Sequence, residues 1–209
     1  MTITHHLGTE TLMSFAAGTL PSALSAVAAA HIVMCRHCRD ELVWCERIGA
    51  ALLDGLPPMP LDDAAPAVPA LPQIEPQNPA RLGGNAFNPI LRLARTDFAD
   101  VAWRRIGIGL WHRPLPLQGQ GALQLIKAAP GAAVPEHSHG GGELTLILRG
   151  AMSAATGRYV AGDVADLDAE IEHTPVADLG AGCVCAIANE VPTRFRGLLA
   201  RLLQPWHGL

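Results

Sequence analysis

The sequence predicts an α+β chain in two parts, a small helical N-terminal bundle followed by an all-β barrel. Three changes of texture lead there. From about Thr9 to Leu53 the chain is rich in Ala and Leu and poor in Pro. From Gly55 to Pro79 proline recurs too often for a continuous helix, which favours an extended connector. After about Arg81, apolar runs alternate with Gly and Pro turns, as strands do: VAWRRIGIGLW, ALQLIKA, ELTLILRG, GCVCAIA and FRGLLARLL. The division therefore falls between residues 1–80, a helical unit with the Pro-rich linker at its end, and residues 81–209, a β-unit.

Within the helical unit, Thr9 or Thr11 can cap a first helix that runs to about Ala17 and stops at Gly18. Pro21 suits the first turn of a second helix, Ser22 to about Met34. A third helix is expected from Cys38 to Leu53. Leu24, Val27 and Ala28 fall on one stripe of the second helix. In the third, Leu42, Val43, Ile48, Leu52 and Leu53 add more apolar surface than three short helices can bury among themselves.

Bulk composition narrows the function classes. The 209 residues are 49% hydrophobic, enough for a core, and the net charge of −4 comes without a basic stripe, which argues against direct nucleic-acid contact. The longest apolar region, Ser22–Cys35, is too short to span a bilayer and carries His31. The start, MTITHHLGTE, lacks a basic stretch, apolar run and cleavage site in series. A cytoplasmic protein without membrane attachment is expected. In a reducing compartment, five cysteines point to metal or redox chemistry before disulfides.

The stretch HIVMCRHC, His31–Cys38, has the spacing H-x3-C-x2-C. His31 and Cys35 are four apart, so one helical face presents both, and Cys38 follows across a short turn. Three soft ligands within eight residues suit tetrahedral zinc, and His5-His6, just before the first helix, can supply a fourth. His37 is expected to face solvent and Cys45 to lie in the core. Zinc would do folding work here, because so small a unit has little core of its own.

A second constellation is PEHSHGGGELTLIL, Pro135–Leu148. His137 and His139 point the same way on a strand, the glycines turn the chain, and Glu143 opens the next strand to meet them. Two imidazoles and a carboxylate suit Zn, Mn, Fe, Ni or Cu. The full pattern, G-x5-H-x-H-x3-E-x6-G from Gly131 to Gly150, resembles the first motif of the cupin family of jelly-roll β-barrels at every fixed position. The second cupin motif is matched more loosely. Gly162 in VAGDVADL stands where a turn belongs, and His173 in AEIEHTPVA is the expected fourth ligand. His112, the other histidine considered, is read as exposed. Cys183 and Cys185, two apart on an apolar strand, share a face and read as buried small hydrophobes ahead of an oxidisable pair. No proton-transfer or substrate-fixing set accompanies these ligands, so an enzyme is not expected.

The N-terminal pattern with its preceding histidine resembles the zinc-binding anti-sigma domain. With the C-terminal cupin, the whole chain resembles the ChrR-type anti-sigma factors, on MTITHHLG, HIVMCRHC, HSHGGGELTLILRG and EHTPVADLGAGCVC. The resemblance implies a zinc-bound helical bundle using His6, His31, Cys35 and Cys38, and a cupin site of His137, His139, Glu143 and His173 that holds zinc or another divalent transition metal. It implies an extracytoplasmic-function sigma factor as partner, held by the helical unit and kept from RNA polymerase. The surplus apolar surface of the second and third helices is expected to dock on that partner. The cupin would be needed for release under an oxidative signal such as singlet oxygen. Cupins often pair, so a homodimer through the barrel is an expectation of the same kind. The family also implies a fourth helix gripping the sigma factor, yet four prolines from Pro66 to Pro76 cannot sit inside one ordinary helix. The rival function classes are a cupin metalloenzyme, of dioxygenase or isomerase type, with an accessory zinc hairpin, and a metal sensor or store.

Overall fold

A computed structural model describes residues 2–57, 90, 98–134, 137–138, 141–167, 174–191 and 194–195. The Pro-rich linker, the question of a fourth helix and the run after Phe195 lie outside these residues. Three helices come first: α1 (Thr9–Ala16), α2 (Ser22–Met34) and α3 (Arg36–Asp54). Gly8 is the N-cap of α1, without a side-chain cap bond, so neither Thr9 nor Thr11 plays the expected part. Gly18, at φ +69°, ends the first turn region as expected. The third helix starts two residues earlier than its spacing suggested. Cys35 alone separates α2 from α3, in an extended conformation at φ −102° and ψ 113°.

Among the described residues ten strands follow: β1 (Arg104–Gly107), β2 (Leu110–Pro114), β3 (Ala122–Ala128), β4 (His137–Ser138), β5 (Glu143–Ala154), β6 (Gly157–Val160), β7 (Val164–Leu167), β8 (Val176–Ala177), β9 (Cys183–Asn189) and β10 (Arg194–Phe195). The run VAWRRIGIGLW is a hairpin, not one strand, because Gly109 at φ +69° turns the chain between β1 and β2. An antiparallel sheet runs β1-β2-β3-β9-β5-β6, and β7 and β8 also pair with the long β5. β4 and β10 form a separate two-stranded ribbon. Gly150 in β5 sits at φ +73°, where an added Cβ would collide with the carbonyl of Gly182, just before β9, so this motif glycine is a requirement of close strand approach.

Strand alternation sorts the central strands into two faces. Thr145 and Ile147 of β5, Ile126 of β3 and Cys183, Cys185 and Ile187 of β9 share one face, which forms the inner core with Met152, Tyr159, Ala165 and Leu167. Leu144 and Leu146 of β5, Leu123 and Leu125 of β3, and Ala186 and Ala188 of β9 lie on the other face. That second face is covered by α2, whose Ala23, Leu24, Val27 and Ala28 belong to the same buried cluster. Cys183 and Cys185 are both buried, and the hydrogen bond with Cys183, then burial, push the Cys185 thiol upward.

Two expectations are corrected by this packing. The Leu24, Val27 and Ala28 stripe is not surplus, because it is consumed by the sheet. His112 is not exposed: it is 1% accessible, since alternation in β2 puts it on the same face as buried Leu110, and its Nδ1 lies 3.3 Å from Gln124 Oε1. Close approach of α2 depends on missing side chains. A Cβ on Gly121, at φ +89°, would lie 2.9 Å from Ala23 Cβ, and one on Gly142 would lie 3.3 Å from Leu24 Cδ2. Gly142, the last of the glycines after His139, thus makes room for a helix.

Leu146→Ala should lower stability by about 2–5 kcal/mol, the usual cost of emptying a core leucine site, whereas Leu52→Ala on the exposed side of α3 should stay within about 0.5 kcal/mol. Urea denaturation of the full chain, followed by circular dichroism, checks both.

Candidate metal centre

Three segments converge where α2 meets α3. His31 occupies the last turn of α2, Cys35 is the joint, and Cys38 lies in the first turn of α3. The arm before α1 brings His6 alongside. One ligand atom from each of His6, His31, Cys35 and Cys38 lies within 4.8 Å of every other. The Cys35 Sγ–His6 Nδ1 and Cys38 Sγ–His31 Nε2 separations are both 3.3 Å. With Zn–S near 2.3 Å and Zn–N near 2.0–2.1 Å, a tetrahedral site has ligand–ligand edges of about 3.3–3.8 Å. The donor set and its spacing therefore fit such an ion. Of the two histidines open for the fourth position, the fold brings His6 to the cluster and sends His5 elsewhere. His37 is exposed, as expected, and its ring lies tilted against that of His6 with centroids 4.4 Å apart. Cys45 is half-buried and packs against the core.

The electrostatics point the same way. Burial lowers the His31 pKa to about 4, with the Gly162 carbonyl working against it, so the imidazole is neutral near pH 7 and free to ligate. Burial and then the ring of His37 lower His6 as well. Burial pushes the Cys38 thiol up to about 12, despite a hydrogen bond from the Leu7 backbone, and nearby Cys35 raises it further. Such a thiol would lose its proton to solvent near pH 7 only when a cation takes the proton's place on sulfur, helped by the positive end of α3.

A shell around these four residues comes from the β-segment, and residue spacing did not disclose it. His31 Nδ1 donates to the Gly162 carbonyl at 3.0 Å, which leaves Nε2 turned toward Cys38. Next to it, buried Asp163 accepts from the Thr4 amide at 2.7 Å, the His5 amide at 3.1 Å and the Val160 amide at 2.9 Å. His5 Nδ1 stands 3.2 Å from the same carboxylate, and its ring packs on Tyr159. Gly8 N donates to Asp166 at 2.8 Å. The one signal for this role was the VAGD turn, noted for its glycine and not for its aspartate.

Of the second expected site, Glu143 is buried at the start of β5. Thr145 donates to its Oε1 at 3.0 Å and Asn189 Nδ2 to its Oε2 at 2.7 Å. Burial raises this carboxyl to about 7, and those two bonds oppose the rise. Asn189, missed in the sequence, is its cross-strand neighbour. The backbone of His137 lies in β4, paired with Phe195. His139 and His173, and the side chain of His137, lie outside the described residues.

The ChrR Cupin-like domain family matches residues 92–191. The anti-sigma-E factor ChrR of Cereibacter sphaeroides is 38% identical over 210 aligned residues, covering 99% of both chains. The chain belongs to the ChrR family of anti-sigma factors. The crystal structure of Rhodobacter sphaeroides SigE in complex with the anti-sigma ChrR matches at 36% identity and TM-score 0.73, covering 90% of this chain and all of that one. The expected order of helices followed by a cupin-like antiparallel barrel is thus the family's. Among the described residues no helix is long and apolar enough to cross a membrane.

Burial works to raise the Asp163 pKa, but the hydrogen bonds from Val160, Thr4 and His5 outweigh it, so the folded value is depressed. Its stabilising contribution is therefore complete above the ordinary Asp value near 3.9 and is lost as pH falls through the lower folded value. Urea midpoints of the wild type and Asp163→Asn should differ at pH 7 and converge in acid below the ordinary Asp range.

Proposed function

We propose that this chain silences an extracytoplasmic-function sigma factor by occlusion, acting as a binding protein and not by turnover. Likeness to an anti-sigma factor along 99% of both chains carries the reading, and it is what sets the metalloenzyme alternative behind. The protein would work in the cytoplasm, where sigma factors act.

The physical surface that supports capture is on α3. Cys38, Leu42 and Cys45 turn inward, while Trp44, Ile48 and Leu52, four apart, form an outward stripe. Trp44 is 59% and Leu52 71% exposed, and Val43 and Leu53 extend the same apolar surface. Solvent-facing apolar residues in this number mark an interaction surface. The sheet occupies the inner face of α2, so the docking face is that of α3 and not the shared surface the sequence suggested.

In this reading His6, His31, Cys35 and Cys38 hold one zinc ion, which when bound ties the arm, the end of α2 and the start of α3 together. His137, His139, Glu143 and His173 hold a second divalent transition metal in the barrel and serve the response to an oxidative signal. The division into residues 1–80 and 81–209 and pairing through the cupin belong to the same proposal.

Ile48→Glu combined with Leu52→Glu in the full chain should weaken capture of the cognate sigma factor by at least about 30-fold, the effect of losing a hot-spot residue, with melting unchanged. Titration calorimetry reads it, and undiminished affinity would move the docking face elsewhere. His137→Ala with His139→Ala should keep sigma inhibition and abolish induction in a reporter strain; loss of inhibition itself would refute the proposed division of labour.

A further inference from the structure

The contacts of the arm with β7 and the turn before it are too many and too directed for a segment that merely rests on a barrel. Thr4 and His5 donate their amides to Asp163, the Val164 amide approaches the His5 carbonyl at 3.4 Å, and Gly8 donates to Asp166. Residues 4–8 therefore lie along residues 163–166 in the same chain direction. His6 falls between the two anchor points and is delivered to Cys35. One residue before Asp163, Gly162 sits at φ +95° with Ile3 packed so close that an added Cβ would be 2.9 Å from it, and its carbonyl holds His31. Both imidazoles of the four-residue cluster are thus oriented by one turn of the β-segment, more than 130 residues away along the chain.

We infer that the turn between β6 and β7 is the outer shell of the helical metal centre, with Asp163 as the positioning residue, so that the centre grips its ion tightly only while the barrel stays docked. The inference deepens the proposed function and rests on its metal reading. The two cysteines come from one helical joint and stay together whatever the barrel does. The histidines do not share that independence. Without Asp163 the arm loses its anchor upstream of His6, and His6 is the ligand furthest from the helical joint along the chain. β7 also links the two expected sites, because Leu167 at its far end is the register partner of Glu143. Undocking of the barrel would therefore loosen the helical centre without any change in its own residues.

The test uses the full-length chain loaded with Co²⁺, whose thiolate charge-transfer absorption reports only a cysteine-bearing site. Decay of that band on mixing with excess EDTA at pH 7 is followed in wild type and Asp163→Asn. Loss of an outer-shell partner lowers metal affinity by about 10–100-fold, so decay at least about ten times faster is expected, together with a shift of the tetrahedral d–d bands as an imidazole leaves. Asp178→Asn, which breaks a contact to Arg158 elsewhere on the β-segment, should decay at the wild-type rate. Wild-type decay and spectrum in a folded Asp163→Asn chain would overturn the inference. If Asp163→Asn does not fold, Asp166→Asn, which frees the Gly8 amide, is read by the same criterion. A wild-type chain without the band, or a band that survives Cys35→Ser with Cys38→Ser, would defeat the metal reading itself and with it this inference.

Discussion

The structure depends on burying α2. Its sequence, SALSAVAAAHIVM, is apolar around most of its circumference, and Ala23, Leu24, Val27, Ala28, Ala30, His31 and Ile32 are all buried. A helix of that kind cannot remain on a surface. It is sandwiched between the α1–α3 packet and the outer sheet face of Leu144, Leu146, Ala186 and Ala188. Small residues on both partners, with Gly121 and Gly142 across from Ala23 and Leu24, set how closely the layers approach. Because α2 sits in the middle, the helices and the barrel share one core.

That placement gives the metal centre its character. His31 ends the buried helix, so its ring emerges into low dielectric beside two thiols and a backbone carbonyl. Desolvation keeps the ring neutral and holds Cys38 as a thiol. A cation relieves both conditions at once, which is why the four residues read as a site and not as a polar defect in the core. The joint at Cys35 is short enough that α2 and α3 bring three ligands together, while the Gly162 carbonyl sets how the His31 ring is turned. The fourth needs the arm, and the arm needs the barrel's turn.

The proposed capture of a sigma factor draws on the surface that the fold leaves over. The barrel satisfies α2 and the inner stripe of α3 satisfies α1 and α2, so Trp44, Ile48 and Leu52 remain in water. Arg47 lies over the Trp44 ring at 5.2 Å and keeps that patch from being wholly apolar. The exposed stripe is thus a remainder of the packing.

Short-range features were legible in the chain. The bounds of α2, the strand ALQLIKA and the start of β5 were all readable, because periodicity and turn residues act within a few positions. The pattern H-x3-C-x2-C was sufficient to bring His31, Cys35 and Cys38 together, since helix geometry converts that spacing directly into proximity. Between His5 and His6, spacing alone could not choose. Local patterns also could not show that Leu24 faces Gly142, that His112 is buried by its pairing with β3, or that Gly162 and Asp163 hold the two histidines. Those facts come from segments separated by up to 159 residues, and they rest on summed apolar burial and on hydrogen bonds that exist only once the layers have met. The sequence by itself determined the helices and central strands and the grouping of His31, Cys35 and Cys38; tertiary structure decided which histidine joins them, which surface stays exposed and what holds that cluster in place, because all three depend on which distant faces bury each other.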